Sequence, residues 1–284
     1  MQSWTIGDVR ITRVIEVEGP VPATFLLREA TPERLEAHAR WLRPRFANAK
    51  GRLLASVHAF VVESGGRRIV VDTCIGNDKT RSNPFWNQLH GPFLEDLARA
   101  GFPRETIDLV VCTHLHVDHV GWNTMLVDGR WVPTFPRARY LLGRTEWAHW
   151  SAAGYDADGD VLGDSVRPIL DAGLADLVES DHRLGDEVWL EPTPGHTPGH
   201  VSVRIRSKGQ DAVITGDLMH HPVQCAEPAW ASNFDVDPEA AHRTRRAFLE
   251  RYADGPVQVL GTHFATPTAG RIVRDGPAWR FEAA

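Results

Sequence analysis

The chain has 284 residues, enough for one large α/β domain and too few for two full ones, so a single domain over 1–284 is expected. A net charge of −6 sets aside a polyanion-binding surface, and with it nucleic acid as a partner. No apolar run approaches transmembrane length and Met1-Gln2-Ser3-Trp4-Thr5 lacks a basic-then-apolar signal pattern, so the expectation is a soluble cytoplasmic protein with no membrane partner.

Residues 5–17 alternate apolar and polar around Gly7-Asp8 and predict a hairpin. Residues 18–50 are less regular and read as an N-terminal insert. Within it Thr31-Pro32-Glu33 starts a helix, a capping Thr before Pro at the first helical position; it runs to about Leu42 and Pro44 ends it. The apolar residues Phe25, Leu26, Leu27, Trp41 and Phe46 fit two readings equally: a helix packed on the core edge, or a flap over a site or homodimer contact. A strand over 53–63, a turn at Gly65-Gly66 and a strand over Arg67–Val71 follow, ending at Asp72-Thr73. Residues 74–90 form a long loop with Phe85, Trp86 and His90. Gly91–Gly101 is helical by period, with Phe93, Leu94, Leu97 and Ala98 on one face. Cys74, Cys112 and Cys225 lie in or beside apolar runs without a Cys-x-x-Cys pair, which predicts buried free thiols.

The β-branched run 107–112 reads as a buried strand, and directly behind it stands Thr113-His114-Leu115-His116-Val117-Asp118-His119. His114 and His116 are two apart, so in extended backbone both imidazoles point to one side. Asp118 and His119 are adjacent and share a cavity only if the chain turns there, and Gly121 is placed to permit that turn. The simplest arrangement is two metal ions, His114 and His116 on one, Asp118 and His119 on the other. A solvated histidine loop would not gather three His and one Asp behind a buried strand, and the spacing is not the His-Glu-x-x-His of a helical zinc site.

This His-x-His-x-Asp-His run resembles the metallo-β-lactamase superfamily. The resemblance implies an αββα sandwich and three further ligands downstream: a His, an Asp and a His. It also implies that Asp72 supports the metal site from behind, although a loop-capping Asp reads equally well there. After the motif, Trp122, Met125 and Val127 line the exit, Asp128-Gly129 is a turn, Arg139–Leu142 a short strand and Arg144–Trp150 a short helix. Residues 151–165 read as a mobile surface loop, a lid or, less favoured, an acidic cation trap. The loop Glu191–His200 then carries three prolines and two glycines that fix its backbone, between strands at 187–190 and 201–206. His196 is its ligand, and His200 a structural partner as its counterpart is in the family. Ala212–Thr215 is a strand leading to Asp217, the required Asp. Val257–Leu260 is the last core strand, leading to His263.

The family core thus spans about 53–265. An internal echo supports it: residues 69–73 parallel 213–217, and 110–114 parallel 259–263, each half giving a strand ending in Asp and a strand ending in Thr-His. Two similar halves facing each other across a metal cleft fit the sandwich.

The resulting ligand set is His114, His116 and His196 for one ion, Asp118, His119 and His263 for the other, and Asp217 bridging. Imidazole and carboxylate donors favour two divalent ions, Zn first and Mn, Fe or Co as alternatives. A bridging hydroxide then serves as nucleophile, and Asp118 orients it and carries the proton. Within the superfamily the chain looks closest to the lactonase and methyl-parathion-hydrolase-like branch, which implies a small-molecule lactone or other carboxylic ester as substrate and a quorum-quenching type of activity. Its acyl pocket would use Phe85, Trp86, Trp122, Met125 and the N-terminal aromatics. Homoserine-lactone hydrolases usually carry Tyr three residues after the bridging Asp. Here that position is His220, followed by His221; His220 is the candidate for the carbonyl-holding role and His221 reads as a loop or supporting histidine. Phosphotriesterase and thioesterase activity are the alternatives among hydrolases. A mononuclear iron sulfur dioxygenase is the alternative of another class.

Overall fold

The computed structural model describes residues 2–153 and 158–284. Strands β1 (Gln2–Ile6), β2 (Val9–Val21), β3 (Leu53–Ser64), β4 (Arg67–Val71) and β5 (Leu109–Val111) begin one half. A two-stranded ribbon, β6 (Thr124–Val127) and β7 (Arg130–Pro133), turns at Asp128-Gly129, both with positive φ as a tight hairpin requires. Strands β8 (Arg139–Gly143) and β9 (Ala175–Val178) complete a seven-stranded sheet of order β1-β2-β3-β4-β5-β8-β9. The second sheet runs in chain order through β10 (Val188–Pro192), β11 (Val201–Ser207), β12 (Gln210–Ile214), β13 (Gln258–Leu260), β14 (Ala269–Asp275) and β15 (Ala278–Ala283).

The two sheets face each other through a shared layer of β-branched and aliphatic side chains. Phe60, Val62, Ile69, Val71 and Val111 of the first meet Val203, Ile205, Ile214 and Leu260 of the second. Alternate residues of the same strands, such as Val61, Val70 and Val110, point outward under helices Phe93–Arg99 and Val161–Ser165. On the far side Val213 and Val259 pack under helix Pro238–Tyr252, whose Phe248, Leu249 and Tyr252 are buried. This is the αββα layering that the resemblance implies. The echo between halves is also structural: β4 runs parallel to β5 with Val71 beside Val111, and β12 runs parallel to β13 with Ile214 beside Leu260.

Some boundaries differ from the sequence reading. β2 continues to Val21, pairing with β3 past a bulge at Ile15/Val17, so the insert starts four residues later than its composition indicates. The helix expected from Thr31 is two short ones, Pro32–Glu36 and Ala39–Leu42. Val257–Leu260 does not end the core, because β14 and β15 extend the sheet. Residues 161–165 are helix, with Val161 and Leu162 buried, not surface loop. The remainder of the lid reading falls partly on 154–157, outside the described residues. All three cysteines are buried and free. No helix among the described residues is long and apolar enough to cross a membrane.

Candidate metal centre

β5 ends in the first histidine loop, and its turn is made by a single helical turn, Val117–Val120. His116 sits in extended backbone at its start, and His119 N–H donates to His116 O at 3.1 Å, which swings Asp118 and His119 into the cleft. Gly121 serves differently from expectation. Its φ is −59°, open to any residue, but a Cβ there would lie 1.7 Å from Ile75 O. The glycine is required by close approach of the 74–76 loop. The second ligand loop is held at Gly195, which has φ +135° and would press a Cβ to 2.2 Å from Ala241 N.

Asp217 stands at the centre. Its Oδ2 faces His114 Nε2 at 3.8 Å and His196 Nε2 at 3.4 Å. Its Oδ1 faces His119 Nε2 at 3.3 Å and His263 Nε2 at 3.1 Å. His116 Nδ1 lies 3.1 Å from His114 Nε2 and 2.9 Å from His196 Nε2. Asp118 spans the other side, with Oδ1 3.6 Å from His119 Nε2 and Oδ2 3.6 Å from His263 Nε2. All seven residues expected from sequence therefore meet in one place, the other six gathered around Asp217, with His263 Nε2 near both of its oxygens.

The donor chemistry fits divalent cations. Several nitrogen and carboxylate lone pairs converge on two small volumes, which is repulsive unless an electrophile sits between them. His119 Nε2 and Asp217 Oδ1 are buried without a hydrogen-bond partner. Such orphaned atoms are costly in a native fold unless something else satisfies them.

The rings are aimed from behind. His119 Nδ1 is 2.9 Å from Asp72 Oδ2, and His196 Nδ1 is 2.9 Å from Asp235 Oδ1. His263 Nδ1 donates to Ser56 O at 2.9 Å, and His114 Nδ1 meets Thr113 Oγ1 at 3.1 Å. Each contact turns Nε2 toward the cleft; His116 alone presents Nδ1. Asp72 takes the backing role that the resemblance implies. Its φ of 58° bends the chain so that its carboxylate also accepts Thr113 N–H at 2.8 Å. Motif spacing does not single out Asp235, Ser56 or Glu146. Glu146 is fully buried and accepts from Leu115 N and Gly199 N, clamping the two ligand loops together, and from Trp150 Nε1. Burial raises its carboxyl.

Electrostatics divide the cleft. Burial holds His114, His116 and His196 well below the ordinary imidazole range. Burial also opposes charge on His119 and His263, but carboxylates win there. Asp217, Asp72 and Asp118 raise His119 well above its ordinary value, and Asp217 with Asp118 takes His263 to about 9. Asp217 is in turn held well below the usual carboxylate range: burial opposes this, and His119, His263 and His220 overcome it.

His200 and His221 are structural. Asp217 N–H donates to His200 Nε2 at 2.8 Å and His200 Nδ1 reaches Thr193 O at 3.0 Å, while burial lowers its ring to about 4. His221 Nε2 donates to Phe46 O at 2.9 Å, away from the cleft. His220 points the other way. Its Nε2 lies 3.1 Å from Asp217 Oδ2 and 3.3 Å from Ser232 Oγ, on the wall of a cavity of about 730 Å³ that opens onto Asp118, Asp217 and His263. The cavity is walled mainly by Val17, Val21, Phe25, Leu26, Phe85, Trp86 and Phe234. Trp122 and Met125 are not among its walls: Trp122 is buried, stacked on Phe93, and gives its Nε1–H to Glu16, while Met125 packs against the outer core. The insert supplies both a wall and a core, since Leu27, Leu35, Leu42 and Phe46 are buried behind Phe25 and Leu26.

The family model described as Metallo-beta-lactamase superfamily matches residues 53–262. The chain belongs to this superfamily. Among curated relatives, an N-acyl homoserine lactonase of Bacillus sp is 25% identical over 56% of this chain and 61% of its own length. An N-acyl homoserine lactonase of Bacillus cereus is 29% identical over 42% of this chain and 40% of its own. The match thus spans less than two thirds of these relatives. Among solved structures, the hydrolase AbOPH superposes with a TM-score of 0.81 at 24% identity, covering 99% of this chain and 96% of that one. AidC, described as a dizinc quorum-quenching lactonase in complex with a product, superposes with a TM-score of 0.80 at 18% identity, covering 100% and 97%. At these identities the superpositions show the shared metallo-β-lactamase fold.

Proposed function

We propose that this chain is a dinuclear metal-dependent hydrolase that opens a lactone or another carboxylic ester with an apolar acyl group. The observation that carries the reading is Asp217, buried at the foot of an apolar cavity with His114, His119, His196 and His263 all turned toward its two oxygens. In this reading His114, His116 and His196 would hold one ion, Asp118, His119 and His263 would hold the other, and Asp217 would serve both. Divalent ions there, Zn foremost, would supply Lewis acidity: they would acidify a bound water, from a pKa of about 15.7 toward 7, and polarise the substrate carbonyl.

The chain's own residues do the rest. The apolar walls take the acyl chain and exclude water. Asp118 borders the cavity, where it orients the attacking water and passes a proton to the departing alkoxide. His220 lines the same cavity beside Asp217, where an imidazole donor stabilises the carbonyl oxygen as it gains charge. No serine or cysteine nucleophile is needed. The relatives named N-acyl homoserine lactonase and the neighbour described as a dizinc lactonase support this reading.

The test is a panel of lactones, aryl esters and phosphotriesters on metal-quantified protein. Lactones and activated esters are expected to turn over fastest. Turnover of phosphotriesters alone would overturn the substrate class. A single tightly bound iron with oxygen consumption would overturn the reaction class.

A further inference from the structure

We propose that Asp235 is a positioning residue for the metal position of His114, His116 and His196, acting by holding the His196 ring. The proposal rests on the dinuclear reading above. Three features carry it.

First, the side chain of Asp235 is fully buried and ends on His196: Oδ1 is 2.9 Å from Nδ1. A neutral imidazole carries one N–H. An acceptor at Nδ1 keeps the proton there, leaves the lone pair on Nε2, and fixes the ring's rotation. His196 Nε2 is the nitrogen aimed at Asp217 and His116.

Second, Asp235 is itself fixed. Its Oδ2 accepts Ser232 N–H at 2.9 Å and lies 3.7 Å from Nη2 of the fully buried Arg245. Arg245 cannot drift, because it donates to Leu218 O at 2.9 Å, Pro228 O at 2.8 Å and Trp230 O at 3.1 Å. A buried carboxylate and guanidinium are expensive to keep for stability alone, since apolar residues of like volume often serve as well.

Third, the two backbones are tied beside the contact. Val236 N–H donates to His196 O at 2.9 Å and Asp237 N–H to Gly195 O at 3.0 Å. Asp235 therefore cannot move without moving His196. A role confined to shaping its own loop would need the Ser232 contact and not the one to His196.

The experiment uses the full chain, stripped with a chelator and titrated with Zn and with Co(II) against a competing chelator. In Asp235→Ala one of the two binding events should weaken by about 10- to 100-fold, the size typical for residues behind a metal ligand. The other event should stay as in wild type and the Co(II) absorption of the weakened site should change, while the metal-free Ala variant should melt lower, since Ser232 N–H and the buried Arg245 lose their shared acceptor. Asp235→Asn, whose amide oxygen still accepts the Nδ1 proton, should fall between wild type and Ala. It decides the matter alone if the Ala variant does not fold. Wild-type affinity and spectrum in both variants would overturn the proposal. So would an equal weakening of both ions. A wild type that takes up one ion removes the dinuclear reading, and Asp235 is then judged by the same affinity loss at that ion.

Discussion

His220 Nε2 lies 3.1 Å from Asp217 Oδ2, so the residue that stands where the resemblance expects a tyrosine reaches the central carboxylate itself. An imidazole is shorter than a phenol, and it approaches the reacting centre from beside Asp217. His220→Ala should lower lactone turnover by about 10²-fold, as loss of a charge-stabilising donor does, while metal content is kept. His220→Tyr should recover part of the rate. Phosphotriesters should be the weaker substrates in all three proteins. Unchanged lactone turnover in both variants, with phosphotriesters preferred, removes His220 and the lactone reading together.

Asp217→Asn keeps the shape of the side chain and removes the charge that both histidine groups face. Wild type should hold about two ions per chain and this variant one, with most turnover lost and the fold intact. Elemental analysis and circular dichroism read the two halves of that statement. Two retained ions with full activity would mean that Asp217 does not bridge.

His196 and His200 share one loop and should fail differently. His196→Ala should abolish binding at one metal position. His200→Ala leaves Asp217 N–H without its acceptor in a buried site, which costs about 1–3 kcal/mol of stability and only a modest part of metal affinity. Denaturant melts beside metal titrations separate the outcomes, and the reverse order would exchange the two roles.

The metal-free protein should be most stable near pH 6.5. His263 has a folded value of about 9 against an ordinary 6.5, so its contribution is full below about 6.5 and is lost as pH rises through about 9. His114, His116 and His196 are depressed, so protonation favours unfolding as pH falls below about 6.5. Metal must also displace the His263 proton, so affinity should rise with pH up to about 9. Melts of chelator-treated protein across this range are the measurement. Stability that climbs steadily between about pH 6.5 and 9 would contradict the assignment.

Much of the site was legible because metal chemistry forces rare residue types into fixed order behind buried strands. His114 to His119 declared themselves by local spacing, and His196, Asp217 and His263 followed from the family's order. The residues behind them were not legible. Asp235 is one acid among many, and its identity depends on Val236 and Asp237 pairing with the ligand loop, a contact across 39 positions. Glu146 lies on a helix whose pattern gives no sign that a fully buried carboxylate joins two loops. In the fold, short apolar runs placed most strands. β14 and β15 carry their signal in Gly276-Pro277, the two residues between the ladder partners Asp275 and Ala278, with Gly276 at positive φ. Trp122 and Met125 follow the motif closely in sequence but face the outer core, because the ribbon they lead into folds away from the cleft.

The parallel pairs β4–β5 and β12–β13 deliver their donors from opposite sheets. His114, His116, Asp118 and His119 hang from one, and His196, Asp217 and His263 from the other. Ions held between them would act as rivets through the seam of the sandwich. Anything that pries the sheets apart would release metal, and anything that strips metal would loosen the seam before it touches either sheet's interior. A chain cut between β9 and β10 would thus yield two pieces, neither carrying the full donor set of either ion, which metal would draw back together.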